Sequence, residues 1–346
     1  MHLVLDTFGT RLHSQDGLLV ITHPTDGPQR VAPAGVRSIS VGRGVTLTSD
    51  ALLLALRYEV DVLLLEKSGQ PAGRLHSGRY GSVATIRRRQ VSFAQGPAGA
   101  AWVVGLVERK LEHQAATVLV VSARHLPEAL ARPALRRLRT AAERVRALIL
   151  PLPPPTMGVV AARLRGLEGA ASATYFATLN QALPEELRFA GRSQHPARDA
   201  FNCLLNYAYG VLYGLVEGAL TRAGLDPYLG VLHRDEYNRP TLAYDFIEEY
   251  RVWADYVVMQ LCLQPGVISP ELFETRPDDS VWLAPPGKRL LLQCLHDYLD
   301  EVVTLHQLPR SRGTHLSLAA QRLAQVVLAT GDNPPPAPAT ADQGPF

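Results

Sequence analysis

The apolar pattern changes its period once along this chain, near residue 80, and that change dictates two unlike structural units. Before it, short apolar runs are cut by turn residues: His2–Asp6, Arg11–His13, Gly17–Thr22, Gln29–Pro33, Ser38–Val41 and Val60–Glu66. Runs of this length bounded by Gly, Pro and Asp read as strands, with Asp26-Gly27-Pro28 and Gly42-Arg43-Gly44 among the breaks. Thr48–Tyr58 interrupts them with a Leu-rich body that reads as a short helix capped by Ser49 or Asp50. From about Arg87 the apolar spacing becomes helical. Helices are expected over Ala100–Val121, Pro133–Leu150, Met157–Leu183, Asp199–Ala223, Tyr244–Leu263, Lys288–Leu305 and Thr314–Leu328, with Pro151–Pro155 as an interruption. Gly224 and Pro227 supply a stop after Ala223. The fold class expected is α+β: a small N-terminal β-rich domain (1–80), then a larger all-α domain (81–330). The boundary falls near Gly69–Arg87. A Pro/Ala-rich tail (331–346) is expected to be disordered.

With 346 residues, 47% of them hydrophobic, the chain can bury two cores. Cys203, Cys262 and Cys294 are odd in number and far apart, which suggests neither a disulfide framework nor a CxxC zinc site. A reducing cytoplasm is the expected home. No run approaches the roughly 18 apolar residues of a membrane span, and the N-terminus lacks the form of a signal peptide. The net charge of +3 is mild, but its distribution is not. Arg124, Arg132, Arg136, Arg137, Arg139, Arg144 and Arg146 face only Glu128 and Glu143 in their stretch, and Arg74, Arg79, Arg87, Arg88 and Arg89 form a second cluster. Arg grips phosphate bidentately, so these clusters fit nucleic acid; a solvated helix face in an Arg-biased composition fits as well.

Four segments carry side chains that an ordinary core does not need. Glu168 lies among small and apolar residues on a helix, where a carboxylate must be solvated, paired or on a metal. Asn202 and Asn206 lie one turn apart on a second helix, where bonding between helices is the simpler role. Residues Gly224–His233 (GLDPYLGVLH) form a turn that delivers His233 between an apolar run and the polar stretch Arg234–Arg239. Leu242–Arg251 (LAYDFIEEYR) places Asp245 and Glu248 at i,i+3 on one helix face; Glu248, Glu249 and Arg251 could equally be a surface of local ion pairs. Two carboxylates and an imidazole can hold a divalent cation. The oxygens suit Mg²⁺ and the imidazole moves the preference toward Mn²⁺.

The order of Glu168, Asn202–Gly210, Gly224–His233 and Leu242–Arg251 resembles the CRISPR-associated integrase/endonuclease family of the spacer-acquisition (adaptation) step. Ala254-Asp255, Arg88-Arg89-Gln90, Lys110–Gln114, Gly266–Ser269 and Gly287–Arg289 are similar to further stretches of that family, with His113 standing where Asn is frequent. The resemblance spans roughly residues 1 to 305. It implies a β-rich dimerisation domain and a helical catalytic domain. Glu168, His233 and Asp245 would be both catalytic and metal-ligating, with Mg²⁺ or Mn²⁺ as cofactor and Glu248 as a supporting catalytic acid. The implied reaction is attack of a protospacer DNA 3′-hydroxyl on a phosphodiester at the edge of a CRISPR repeat, with endonuclease activity beside it. The implied partners are double-stranded DNA and a second copy of the chain, two such homodimers being bridged by a small ferredoxin-like partner dimer. The basic candidates for DNA contact are Arg87, Arg88, Arg89, Lys110, Arg136, Arg137, Arg165, Arg251, Lys288 and Arg289. A catalytically dead DNA-binding scaffold and a general metal-dependent DNA-repair nuclease are the competing expectations.

Overall fold

The computed structural model describes residues 1–66, 71–75, 83–194, 196–233 and 239–330. The N-terminal unit contains β1 (His2–Leu5), β2 (Arg11–Gln15), β3 (Leu18–Thr22), β4 (Gln29–Val31), β5 (Ser38–Val41), β6 (Thr46–Leu47), α1 (Ser49–Arg57), β7 (Asp61–Leu65) and β8 (Pro71–Leu75). They form two four-stranded sheets. The first runs β1–β5–β7–β8, with β1, β5 and β7 parallel and β8 antiparallel to β7. The second runs β4–β3–β2–β6. Strand β5 is buried at every position, as expected of a central parallel strand covered on both faces. Leu5, Leu12, Leu19, Ile21, Ile39 and Val62 of both sheets join Ala51 and Ala55 of α1 in one core. The cap of α1 is Thr48, whose side chain accepts from Ala51 N–H at 3.3 Å; neither Ser49 nor Asp50 takes that role.

The second unit is helical: α2 (Val83–Gln95), α3 (Pro97–His125), α4 (Glu128–Arg146), α5 (Met157–Ala182), α6 (Ala200–Arg222), α7 (Thr241–Ile247), α8 (Arg251–Leu263), α9 (Pro285–Asp300) and α10 (Arg312–Ala329). Helices α3, α4 and α5 pack side by side, and α6 runs through the centre, apolar around most of its circumference. Two short hairpins decorate this unit, β9 (Phe273–Thr275) with β10 (Val281–Leu283) and β11 (Val302–Leu305) with β12 (Leu308–Ser311).

Several elements differ from expectation. Strand β8 and helix α2 occupy the stretch read as a boundary, and α4 begins at Glu128 with Pro133 inside it. The helix expected over Tyr244–Leu263 is two helices, broken at Glu248–Tyr250. The one expected over Lys288–Leu305 ends at Asp300, and Val302–Leu305 is a strand. The tail 331–346, Arg79 and the stretch 234–238 lie outside the described residues. The two units are fastened by Arg37 to Asp300 (2.9 Å) and Ser311 (3.0 Å), by stacking of His2 on His296, and by Asp61 with Arg74 and Arg222. All three cysteines are free, and no helix among the described residues is long and apolar enough to cross a membrane.

Candidate active site

Helix α6 stops at a left-handed Gly224 (φ +82°), with Gly224 N–H bonded to Thr221 O and Leu225 N–H to Leu220 O. That pair of bonds satisfies the last carbonyls of the helix and turns the chain sharply into residues 225–233. Three buried side chains then hold this segment. Gln90 of α2, 1% exposed, donates to Asp226 O (2.7 Å) and Leu229 O (3.0 Å) and accepts from Asp226 N–H (2.9 Å). Thr241 donates to Tyr228 O and accepts from Gly230 N–H. Gly230 leaves no room for a side chain: a Cβ there would lie 2.3 Å from His233 O.

Asp245 of α7 is the third. Its Oδ2 accepts from Val231 N–H (2.6 Å) and Leu232 N–H (3.0 Å); its Oδ1 accepts from His233 N–H (3.0 Å) and His233 Nδ1 (2.7 Å). Both oxygens are thereby engaged, and the side chain has no exposed surface. With its Nδ1 proton on Asp245, the imidazole has Nε2 as its unprotonated nitrogen. His233 is 35% exposed, and the hydrogen bond from its ring to Asp245 raises its pKa above the ordinary 6.5.

Three side chains of α3 meet the break at Glu248–Tyr250. Arg109 pairs with Glu249 at 2.9 Å, His113 Nδ1 meets Glu249 O at 3.3 Å, and Lys110 Nζ lies 2.5 Å from Glu248 Oε2. Lys110 also donates to Glu168 Oε1 of α5, which takes a second bond from Ser172 at 3.1 Å. A single buried ammonium thus ties two carboxylates from different elements. Arg251 completes the set, donating to Glu248 Oε1 (2.8 Å) and Tyr213 Oη (2.5 Å), with its guanidinium over the Tyr209 ring at 4.8 Å. Burial alone would push the Glu248 carboxyl up, but Arg251 and Lys110 outweigh it and hold it at about 2. Burial likewise opposes the Lys110 charge, and Glu248 and Glu168 more than compensate, so its pKa is raised. Beneath this layer Asp255 accepts from Tyr209 (2.5 Å) and Tyr175 (3.0 Å); burial lifts its carboxyl to about 6 against those bonds.

The structure therefore brings Glu168 and Glu248 together at Lys110 and joins His233 to Asp245. Glu248 also acts electrostatically on His233, which links the two pairs. Among the described residues, no three His, Cys, Asp or Glu side chains converge closely enough to hold a metal ion. Asn202 and Asn206 accept from Arg192 and donate to Gly191 O and Ser193 O, so they pin a loop. The basic candidates separate. Arg87, Arg88, Arg136, Arg137, Arg165 and Arg289 are exposed. Arg89 caps Leu328 O at the end of α10, Lys110 and Arg251 are internal, and Lys288 lines a cavity of about 170 Å³ between the two units. Gln90 and Thr241 escaped sequence reasoning as site residues. The one signal for Gln90 was its place in Arg88-Arg89-Gln90.

The sequence comparisons with known proteins agree on one family. The sequence matches the family described as CRISPR associated protein Cas1 over residues 3–297. It is 30% identical over 308 residues to a CRISPR-associated endonuclease Cas1 of Archaeoglobus fulgidus, covering 87% of this chain and 88% of that one. It is 31% identical over 336 residues to a protein of the same description from Thermus thermophilus, covering 96% and 97%. Among solved structures, the fold is similar to a casposase bound to integration product (TM-score 0.77, 20% identity, 96% and 92% covered) and to a Cas1 protein of Thermotoga maritima (TM-score 0.75, 18% identity, 94% and 97% covered).

Proposed function

The chain belongs to the CRISPR-associated Cas1 family, and from that premise we propose that it is a divalent-metal-dependent DNA integrase with endonuclease activity. The observation that carries the reading is the pairing of Glu168 and Glu248 on one cationic partner beside an imidazole of fixed tautomer. Two carboxylates that share one positive charge, with an imidazole in the same site, have the donor chemistry that suits Mg²⁺ or Mn²⁺, although here Lys110 rather than an ion joins the carboxylates. The residues that would hold the ion are Glu168, His233 and Glu248. Family resemblance gives the third place to Asp245. We assign it to Glu248, because every Asp245 oxygen is already engaged by the 231–233 segment and the side chain has no open face.

When bound, the cation supplies charge stabilisation for the reacting phosphodiester and its leaving oxygen. The chain does the rest. Asp245 holds His233 with Nδ1 protonated, and Lys110 and Arg251 keep Glu248 ionised and aimed. Tyr213 and Tyr209 fix Arg251 in turn. In the proposed reaction the 3′-hydroxyl oxygen of a protospacer strand forms a bond to phosphorus at the edge of a CRISPR repeat. The phosphorus–oxygen bond to the adjoining nucleotide breaks, the attacking hydroxyl gives up its proton to solvent, and the leaving 3′-oxygen takes one up. Water in place of the 3′-hydroxyl gives endonucleolytic cleavage. The solved casposase described as bound to integration product supports the transfer reading. The neighbour described as a Cas6-RT-Cas1–Cas2 complex supports a partner of the Cas2 kind, and homodimers bridged by a small ferredoxin-like partner are what the family resemblance adds to the proposal.

Half-site integration with purified protein, with and without Mn²⁺, tests the reading. Glu168→Ala, His233→Ala and Glu248→Ala should each lower strand transfer by about a hundredfold or more while leaving DNA binding intact. Retention of activity by all three variants would sink it. Equal use of repeat-bearing and random plasmids would instead point to a repair nuclease.

A further inference from the structure

Two carboxylates and two cations share the centre of this site. Lys110 donates to Glu168 and Glu248, and Arg251 donates to the other oxygen of Glu248. Each carboxylate is therefore balanced, charge for charge, before any ligand arrives. Neither cation is a loose surface group: Lys110 is 5% exposed, and Arg251 is gripped by Tyr213 and lies over Tyr209. Asp245 adds one negative charge, but it is turned toward three backbone N–H groups and the His233 ring. A divalent ion entering here meets two resident positive charges in a water-poor setting, where like charges repel far more than in solvent. A DNA phosphate brings the negative charge that offsets this.

We propose that Lys110 makes metal binding conditional on DNA, so that the free protein holds Mg²⁺ or Mn²⁺ weakly and metal and DNA bind cooperatively. This rests on the metal reading given above. Lys110 is the adjustable partner. Its four-carbon stem and three rotatable donors let it keep one carboxylate while releasing the other, whereas Arg251 is a planar fork held on two sides. Linkage makes the coupling reciprocal: the factor by which DNA tightens metal is the factor by which metal tightens DNA. The physical result is a chain that assembles a loaded centre only where there is DNA to act on.

The test is calorimetric titration of Mn²⁺ into the full chain, alone and with a 3′-dideoxy-terminated duplex at fixed ionic strength, corrected for Mn²⁺ binding to duplex alone. The duplex should tighten Mn²⁺ binding by about tenfold or more, within the usual range of coupling factors. Lys110→Met should tighten Mn²⁺ binding to the free protein by about the same factor and reduce the duplex effect to below about threefold. A Lys110→Met protein that melts cooperatively yet binds Mn²⁺ like the wild type overturns the proposal. If that variant does not fold, Lys110→Gln replaces it, and a wild-type duplex effect under about threefold is decisive against the proposal. Glu168→Gln and Glu248→Gln separate the two levels: if both leave Mn²⁺ binding intact with and without duplex, the metal reading itself fails.

Discussion

Asp245 and Glu248 are acids three residues apart with opposite duties. Asp245 spends its oxygens on three backbone N–H groups and an imidazole, whereas Glu248 meets two side-chain cations. Asp245→Asn replaces one acceptor with a donor facing those N–H groups. It should cost about 1–3 kcal/mol of stability and lower Mn²⁺ affinity about 10–100-fold, as loss of a partner behind a ligand does; denaturant melts and Mn²⁺ titration measure the two effects. pH provides a second check. The Asp245 hydrogen bond raises the His233 pKa, so its contribution to stability is full below the ordinary value of 6.5 and fades as pH rises through the raised value. Nε2 can coordinate only after that proton leaves. Mn²⁺ affinity should therefore fall on the acid side with a midpoint above 6.5, and Asp245→Asn should bring that midpoint down toward it. An unchanged midpoint would separate the pair. The sequence sets Asp245 beside apolar Phe246 and Ile247 and Glu248 beside Glu249 and Arg251, but it does not show what each carboxylate binds. Of the donors that divide their roles, residues 231–233 and Lys110 sit twelve or more residues earlier in the chain, and Arg251 sits three residues later.

At the scale of elements, strongly periodic segments are legible and tertiary breaks are not. Helices α3, α5 and α6 fall where their apolar spacing puts them. The interruption at Glu248–Tyr250 has no local signal, and the groups that hold it, Arg109, Lys110 and His113, lie far away in sequence on α3. The β11–β12 hairpin was hidden for a different reason. Its turn is made by His306 and Gln307, both at positive φ, residue types that do not announce a turn, and the apolar run before them continues the α9 pattern. The 225–233 segment is also set from afar, by Gln90. Gln90→Leu removes two hydrogen bonds to the Asp226 backbone and one to Leu229 O. Amide exchange at Val231, Leu232 and His233 should accelerate, and Mn²⁺ affinity should drop about 10–100-fold. Gln90→Glu, which keeps the acceptor and loses the donors, should fall between. Unaltered exchange in Gln90→Leu would mean that Asp245 and Thr241 suffice.

Across the whole molecule, the Arg bias divides into internal and external work. Asp61 takes Arg74 and Arg222 into the junction of the two units, and Arg89 caps a helix, so a count of basic residues overstates the surface available to DNA. What remains outside is chiefly α4 and α5, where Arg136, Arg137 and Arg165 are exposed and make no ion pair among the described residues. Replacing Arg136 and Arg137 with Ala should weaken duplex binding evenly across sequences and reduce its salt slope by about one per lost phosphate contact. Mn²⁺ affinity of the free protein should not move; a change there would connect α4 to the metal centre. The clasp between α7 and residues 228–233 carries one more implication, for chain length. Thr241 and Asp245 fasten the two ends of the intervening stretch to each other. The fastening is indifferent to how much polypeptide lies between, since doubling a closed loop costs only about 0.6 kcal/mol. Lengthening the connection between His233 and Thr241 should therefore leave the His233 ring on Asp245, at a cost on the order of 0.6 kcal/mol for each doubling.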